Sequence, residues 1–465
     1  MANNKTAQQI GLVGAVAIGL ASMLGAGVFV VFRETFDISG SFFLAAIGLA
    51  ALVSVLNAAS VYQLAKRISR PGGVYTYSRE MVNQPTSFVA GFAFVFGKIG
   101  SIAAIALVVQ EYLTPELKFW PAAAAIAVLT LINISGINRT ASVAAILATT
   151  TTLFFVVILT SAVLPAASVS AQPVAEVLSA AGGSSFAQLV SAASVMFFAF
   201  AGYARVATLG DEVRDPKRNI PRAIVITLTV VTLLYFALDQ TLLTQLGLSL
   251  GFVEAPFVAL IALITPWMPG WLVIVVAAAA GLGSMLALLA GVSRTAATMA
   301  EDGELPPLLS RRNRAGAPWV AEVIVGAGAI ALLFVGELSW VIGFSSFSVL
   351  LYYAIGHLSA WLIPEIGKAV RVVAFVGFGL CALLAVAVPG PAVWVSDFSF
   401  LKNPSLSASN TATRETSGKS SPSLKRLTPT NTSITPNLNS LKISTRSSAS
   451  ISLCMYFDFI CMRTK

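Results

Sequence analysis

The chain has 465 residues, of which 57% are hydrophobic and only 11% are charged, and its mean hydropathy is +0.84. Soluble domains carry roughly a quarter charged residues, so this composition excludes a soluble globular protein and makes lipid the solvent for most of the chain. The net charge of +9 does not indicate nucleic-acid binding, because the charges lie between apolar segments. One histidine and three scattered cysteines exclude a His-based metal cluster. We expect no metal, no cofactor and no catalytic residues.

Eleven apolar runs are long enough to cross a bilayer, which takes about 20 residues. They lie at 10–32, 39–65, 87–112, 119–137, 141–164, 187–209, 222–244, 271–293, 318–337, 340–363 and 372–395. The first run is too long for the core of a signal peptide and lacks a cleavage site, so we interpret it as the first span. The predicted fold class is therefore an all-α, polytopic membrane protein.

Lysine and arginine placement predicts the orientation of these spans. With a cytoplasmic N-terminus, the loops on the cytoplasmic side contain sixteen lysines and arginines, whereas the outer loops contain only Arg33 and Lys118. Positive residues accumulate on the cytoplasmic side of membrane proteins. We therefore predict a multi-pass protein of the cell membrane (inner or plasma) with its N-terminus in the cytoplasm.

The two ends of the chain differ in kind. Residues 1–395 form one predicted transmembrane domain, and residues 396–465 are rich in Ser, Thr and Asn without periodicity, which is typical of a disordered tail. After eleven spans this tail would lie outside, yet it carries nine lysines and arginines. It is either a genuine extracellular appendage or non-native sequence, for example a frameshifted reading that replaced a twelfth span. We favour the second interpretation.

The middle of the first span reads Gly25-Ala26-Gly27-Val28-Phe29. Small residues at bilayer depth let a helix open locally, and unwound backbone survives in a membrane only where it lines a cavity or meets a ligand. The freed amides and the half-helix N-terminus suit an anionic group such as a carboxylate. Close helix–helix packing of small residues is the alternative interpretation.

The sixth span contains a comparable stretch, Phe197-Phe198-Ala199-Phe200-Ala201-Gly202-Tyr203. Two discontinuous helices five spans apart are typical of transporters built from two five-helix repeats. Carbonyls freed around Ala201 and Gly202 would accept hydrogen bonds from a substrate ammonium. The rings of Phe198, Phe200 and Tyr203 would cover the site or add cation–π attraction, although aromatic residues on membrane helices also face lipid.

Ionisable residues inside spans are rare and indicate function or pairing. Lys98 lies in the middle of the third span, where it lines the pathway, acts in coupling or extends to the interface. Arg205 follows the sixth-span aromatics and is expected to pair with Asp211 or Glu212 near a cytoplasmic gate. The charged loop GDEVRDPKRNIPRA at 210–223, joined by Arg294, Glu301 and Asp302, forms either a gate latch or ordinary solvated charge. Asp239 is expected at a water-exposed span end.

Several stretches resemble the amino acid–polyamine–organocation permeases. These are GAGVF at 25–29, SRPGGVYTYSRE at 69–80, FFAFAGYARVATLGDEVRDPKRNIPRAI at 197–224, GSMLALLAGVSRTAATMAEDGELP at 283–306 and GFSSFSVLLYYAIGHLSAW at 343–361. The resemblance implies a five-plus-five inverted-repeat core with a site at the membrane midplane. There the first-span amides around Gly25, Ala26 and Gly27 would hold the carboxylate of the substrate, and sixth-span carbonyls its amino group. Ser284, in the eighth-span stretch, is a further candidate for coupling or gating.

The chain departs from this family at three places. Many members carry a glutamate two residues after the sixth-span glycine, where this chain has Ala204. Some proton-coupled relatives have a lysine in the fifth span, where this chain has four threonines, among them Thr151. Threonine hydroxyls either ligate a cation or bond back to their own helix. The expected twelfth span is also missing.

The sequence therefore predicts a secondary active transporter, an amino acid symporter or antiporter, coupled to protons or working by exchange. The expected partners are a small amino acid, protons and the lipid bilayer, with no nucleic acid, and a homodimer is compatible with the sequence. The alternatives are a transporter of polyamines, organic amines or nucleobases, and a sensor that binds its substrate without moving it. An enzyme is disfavoured because no nucleophile–base pair and no nucleotide-binding loop is present.

Overall fold

The computed structural model describes residues 10–389, apart from residues 26, 69, 71, 114–118, 136, 164–171, 209–212, 254, 335–337 and 365. Within these residues the regular elements are helices, and one isolated bridge pairs Ile10 with Val213. The predicted tail at 396–465 lies outside the described residues, so its order and origin stay predictions.

The described part of the chain contains sixteen α-helices, some of them short. They are α1 (Leu12–Met23), α2 (Val28–Ser39), α3 (Phe43–Ala65), α4 (Val74–Met81), α5 (Gln84–Leu113), α6 (Trp120–Ile134), α7 (Ile137–Val163), α8 (Val174–Ala180), α9 (Phe186–Phe200), α10 (Ala204–Ala207), α11 (Pro216–Leu246), α12 (Pro256–Ile264), α13 (Gly270–Glu301), α14 (Trp319–Leu332), α15 (Leu338–Trp361) and α16 (Lys368–Ala387).

Eight helical segments among the described residues are long and apolar enough to cross a membrane. They are Val28–Ala65, Gln84–Gln110, Ala145–Val163, Phe186–Ala207, Pro216–Gly251, Gly270–Glu301, Leu338–Trp361 and Lys368–Ala387. The shorter apolar helices α1, α6 and α14 fall within the remaining predicted runs. Each of the eleven predicted runs therefore contains a helix, and the prediction of an all-α, polytopic membrane protein is confirmed.

The differences from the predicted spans lie mostly at the first one. The run at 10–32 is two helices, α1 and α2, and α2 continues beyond the predicted end to Ser39. Gly40 then adopts a positive φ of 46°, a conformation that glycine tolerates without strain, and the chain turns toward α3. The short helices α4, α8 and α12 were not predicted, because 7–9 residues give too little apolar periodicity to distinguish a helix from a loop.

Helix packing places α13 between α1 and α5, in contact with both. The long helix α5 packs against α13 and α15, α1 packs against α7 and α11, and α9 packs against α2 and α3. Lipid is as apolar as a leucine side chain, so close approach of small residues drives such contacts. Gly97 of α5, for example, faces Ser348 of α15 so closely that an added Cβ would come within 2.5 Å of the Ser348 Cβ.

Candidate functional site

The first predicted span is interrupted at mid-length. The helix α1 ends at Met23, and α2 begins at Val28 with Gly27 as its N-cap residue. Within the described residues, the backbone amides of Gly25 and Gly27 donate no hydrogen bond to another backbone group, whereas the Gly27 carbonyl accepts from the amide of Val31 at 3.0 Å. The helix is therefore open where the glycines were expected to open it. Ala26 lies outside the described residues.

The sixth predicted span changes its geometry at the corresponding place. The helix α9 ends at Phe200, residues Ala201–Tyr203 form a 3₁₀ turn, and α10 continues from Ala204. A 3₁₀ stretch inside a longer helix frequently marks a hinge or a functional interruption. The two interruptions lie five spans apart along the chain, as the five-plus-five organisation predicts.

The two interruptions touch each other through glycines. A Cβ added to Gly202 would overlap the backbone carbonyl of Ser22 and lie 2.7 Å from the Met23 Cγ. A Cβ added to Gly25 would overlap the Ser284 side chain, and one on Gly27 would lie 2.9 Å from the ring of Phe198. The absence of a side chain at these three positions is thus a requirement of the packing.

A buried cavity lies at this crossing. Its walls come from α1 and the turn that follows it (Ser22, Met23, Gly25, Gly27), α5 (Lys98, Ser101, Ile105), the sixth span (Phe198, Ala199, Gly202) and α13 (Ser284, Leu288). The space between the atoms measures about 290 Å³, but the centre of a water molecule can reach only about 20 Å³ of it. That is room for about one or two waters, so a larger molecule binds here only if the walls move apart.

Side chains satisfy the carbonyls that the interruptions free. Tyr235 of α11 donates its hydroxyl to the Met23 carbonyl at 2.6 Å and lies 3.3 Å from the Ala199 carbonyl. Ser284 donates to the Ser22 carbonyl at 3.3 Å. Unpaired carbonyls in a membrane interior cost several kcal/mol each, and these hydroxyls remove that penalty while the cavity is small.

Lys98 projects into the same site. Its side chain is only 3% exposed, and its Nζ donates to the Ala201 carbonyl at 3.1 Å. The third span therefore supplies an amino group to the carbonyl that was expected to hold a substrate ammonium. This hydrogen bond joins α5 to the sixth-span interruption.

The predicted site residues divide into two groups. Gly25, Gly27, Phe198, Gly202, Lys98 and Ser284 line the cavity, and Ala201 contributes its carbonyl. The rings of Phe200 and Tyr203 are fully buried elsewhere: Phe200 packs edge-on against Tyr235, and Tyr203 stacks on Tyr353. Their contact with a substrate stays a prediction.

The coupling candidates outside the cavity, Thr151 and Arg205, form hydrogen bonds with other parts of the chain. Thr151 donates to the Leu147 carbonyl one turn earlier at 2.9 Å, which is the back-bonding that threonines in helices adopt by default. Arg205 donates to the Ala287 carbonyl of α13 at 2.7 Å and to Thr208 at 2.8 Å. Its predicted partners Asp211 and Glu212 lie outside the described residues.

Asp239 is not water-exposed, contrary to the prediction. Its side chain is fully buried in α11, and its two carboxylate oxygens have no hydrogen-bond partner in the described part of the chain. The prediction failed because the 3₁₀ turn Gly247–Gly251 extends this helical segment beyond the predicted end at 244, so Asp239 lies about three turns inside it rather than near its end.

Aromatic rings pack around the start of α2, directly after the first interruption. Phe29 of α2 packs against Phe155 of α7 and Phe257 of α12, with centroids 5.5 and 5.2 Å apart. Phe32 adds an edge-on contact with Tyr235 at 5.9 Å. The short helix α12, which sequence reasoning missed, thus places the Phe257 ring against α2, the helix that begins at the first interruption.

The charges at the ends of α4 and α13 form a separate network. Asp302 accepts from Arg70 at 3.1 Å and from the Tyr75 hydroxyl at 3.0 Å, and Arg79 contacts both Asp302, at 3.8 Å, and Glu304. Burial, Glu304 and Asp302 raise the pKa of Tyr75. Burial alone would lower the pKa of Arg79, but Tyr75, Glu304 and Asp302 outweigh it and raise that pKa. Arg79 therefore stays charged and Tyr75 stays neutral at neutral pH.

This pairing differs from the predicted latch. Glu301 pairs with Arg312 at 3.1 Å and Asp302 pairs with arginines at the α4 end, whereas neither contacts a described residue of the loop after the sixth span. The loop contributes a backbone contact instead, in which the Arg214 amide donates to the Ile10 carbonyl at 2.9 Å.

The site shows which residues sequence reasoning missed. Tyr235 is the clearest, since its hydroxyl bridges the two interruptions. A tyrosine deep in an apolar span needs a hydrogen-bond partner for its hydroxyl, and that signal was available in the sequence. Ser22 and Ser101 carried no such signal, because serines in spans commonly bond to their own helix.

The fold and the paired helix interruptions around a midspan cavity define a membrane transporter. The model of the amino acid permease family matches residues 10–403. Uncharacterized transporters of Mycobacterium tuberculosis and Mycobacterium bovis are each 38% identical over 392 residues, which covers 82% of this chain and 86% of theirs. The chain therefore belongs to the amino acid permease family.

Two more distant proteins extend the comparison. A chloroplastic protein of Arabidopsis thaliana named cationic amino acid transporter 9 is 24% identical over 334 residues, covering 65% of this chain and 57% of its own. A substrate-bound, outward-open structure of a Na⁺-coupled sialic acid symporter aligns with a TM-score of 0.55 and 14% identity, over 83% of this chain and 90% of that chain. The second likeness shows a shared transporter fold.

Proposed function

We propose that this protein moves an amino acid across the cell membrane by alternating access. The observation that carries the proposal is the contact between the two helix interruptions, of Gly202 with Ser22 and of Gly27 with Phe198, beside a cavity in the membrane-spanning core. The amides of Gly25 and Gly27 suit a carboxylate, and the carbonyls of Ala199 and Ala201 suit an amino group. A zwitterionic amino acid presents both groups about one residue's length apart.

The small cavity fits one step of such a cycle. Because a water molecule's centre reaches only about 20 Å³, the site is contracted, and Tyr235 and Lys98 occupy the carbonyls. Substrate entry separates the walls and replaces these hydrogen bonds with its own. Aromatic packing on one side and the charged network on the other are the two closures that must open alternately.

Proton coupling or exchange is the proposed energy source. A buried lysine at the site can gain and lose a proton during a cycle, whereas the fifth-span threonine Thr151 bonds to its own helix rather than toward a cation. The lysine and arginine asymmetry supports a cytoplasmic N-terminus.

The test is uptake by proteoliposomes that contain the purified full-length chain, supplied with radiolabelled amino acids with and without an inward proton gradient. We expect saturable uptake of at least one amino acid. A proton ionophore should reduce this uptake if it is proton-coupled, and removal of internal amino acid should reduce it if it works by exchange. Uptake of a nucleobase or an amine but of no amino acid would contradict the substrate class. Saturable binding without any uptake would establish the sensor instead.

A further inference from the structure

Lys98 is the ionisable side chain among the residues described as lining the cavity. The other lining residues are glycines, serines and apolar side chains. The Lys98 side chain is 3% exposed and has one hydrogen-bond acceptor, the Ala201 carbonyl at 3.1 Å. A single neutral carbonyl leaves two of the three ammonium N–H donors without a partner.

No carboxylate offsets this charge in the described part of the chain. The ion pairs found there join Arg70, Arg79, Arg294 and Arg312 to acidic residues, and none involves Lys98. A buried ammonium without a counter-ion is strongly unfavourable in a membrane interior. Such a lysine either gives up its proton or binds an anion from outside the chain, and a bound anion favours its charged form.

The net charge of the substrate determines whether it can neutralise the Lys98 ammonium. In an amino acid with a neutral side chain the α-amino and α-carboxylate charges cancel, so binding leaves the site with the net charge of Lys98. A basic side chain adds a second positive charge. A side-chain carboxylate gives the substrate a net charge of −1, and the occupied site becomes neutral.

The polar groups around Lys98 also suit a second carboxylate. Ser101 lies one helical turn further along α5, on the same face as Lys98, and its hydroxyl is 2.5 Å from that of Ser345. These hydroxyls can turn to donate to an oxygen anion. The glycine amides at the first interruption are separate donors, so two carboxylates have two distinct places to bind.

We propose that Lys98 is a specificity-determining residue that makes this site select amino acids with an acidic side chain. The inference rests on the proposed function and adds the substrate class to it. The Lys98 ammonium moves from the Ala201 carbonyl to the side-chain carboxylate, and the substrate amino group takes the carbonyl that Lys98 vacates.

The experiment measures how well unlabelled amino acids compete with radiolabelled uptake, or how tightly they bind the protein in detergent. Two matched pairs are compared, L-glutamate with L-glutamine and L-aspartate with L-asparagine, because the members of each pair differ in charge but hardly in shape. L-lysine is measured beside them. We expect one acidic amino acid to bind at least tenfold more tightly than its amide, and L-lysine to bind weakest. The Lys98→Met variant should bind the acid and its amide within about twofold of each other, and Lys98→Arg should retain the preference for the acid.

The outcomes separate this inference from the proposed function. Equal binding of acid and amide by the unaltered protein, or a preference for L-lysine, overturns the inference without any variant and leaves amino-acid transport standing. An acid preference that persists in Lys98→Met also overturns it. Binding of no amino acid at all overturns the proposed function and the inference together. The Lys66→Met variant, at an exposed lysine beyond the end of α3, is the matched control and should behave like the unaltered protein.

Discussion

Among the three glycines of the site, Gly202 is the one whose added Cβ would overlap a backbone atom. A single methyl group there would overlap the Ser22 carbonyl and press on the Met23 side chain. Overpacking of this kind typically costs about 1–3 kcal/mol. Because the overlapping atom is backbone, rotation of a side chain cannot relieve the contact.

We therefore expect Gly202→Ala to lower substrate affinity at least tenfold and to lower the thermal unfolding midpoint, since α1 and the 3₁₀ turn Ala201–Tyr203 must separate to admit the methyl group. Ligand binding and unfolding of the purified variant measure the two effects. Gly48→Ala is the matched control, because an added Cβ at Gly48 meets no atom within 4 Å. Unchanged binding in Gly202→Ala would show that the crossing of the interruptions is not the binding site.

The hydroxyl oxygen of Tyr235 contacts both helix interruptions. Its hydroxyl is 2.6 Å from the Met23 carbonyl and 3.3 Å from the Ala199 carbonyl. The Tyr235→Phe variant keeps the ring contacts with Phe32 and Phe200 and removes only these hydrogen bonds.

We expect Tyr235→Phe to destabilise the contracted form of the site by about 1–2 kcal/mol and so to change the rate of transport more than the affinity. Uptake rates at saturating and at low substrate concentration distinguish the two effects. Tyr62→Phe, at the end of α3, is the control. An affinity change of the same size as the rate change would mean that the hydroxyl contacts the substrate itself.

At the scale of elements, the sequence predicts most of the helices but not how they close the site. Long apolar runs have few uses other than spans, so all eleven contain a helix, and glycines at mid-span marked both interruptions. The short helix α12 was missed because nine residues carry little periodicity. Its ring contacts depend on residues more than 200 positions apart, such as Phe29 and Phe257, which no local pattern reveals.

The role of α12 can be tested through Phe257. This ring is fully buried against Phe29, Phe32 and Phe155, so Phe257→Ala opens a gap above the first interruption. We expect a cysteine placed at Ser284 to react at least fivefold faster with a membrane-impermeant thiol reagent in the Phe257→Ala background. The native cysteines are replaced by serine in both samples. Exposed Phe252→Ala is the control, and equal labelling in both backgrounds would mean that α12 does not cover the site.

At the scale of the whole molecule, the proposed transport cycle needs two closures that open alternately. The aromatic closure is apolar and depends on helix packing, whereas the closure between α4 and α13 depends on charge. The sequence left open whether the charged loop after the sixth span is a gate latch or ordinary solvated charge. The structure instead pairs Asp302 with Arg70 and Arg79, because the folding of α4 brings arginines distant in sequence next to the end of α13.

Adjacent acidic residues allow a matched test of the charged closure. Asp302 is 13% exposed and bonds to Arg70, Arg79 and the Tyr75 hydroxyl, whereas Glu301 and its partner Arg312 are each 42% exposed. Exposed pairs contribute about 0–1 kcal/mol, and hydrogen bonds to charged groups about 1.5–3 kcal/mol. We therefore expect Asp302→Asn to lower the free energy of unfolding by about 1–2 kcal/mol and to make the cavity accessible from the α4 side, and Glu301→Gln to do neither.

The double variant Asp302→Asn with Arg79→Gln tests whether the two residues act together. It should lower the free energy of unfolding by less than the sum of the single changes, since both remove the same contact. Additive effects, or equal effects of the two single acidic changes, would show that the network does not hold this side closed.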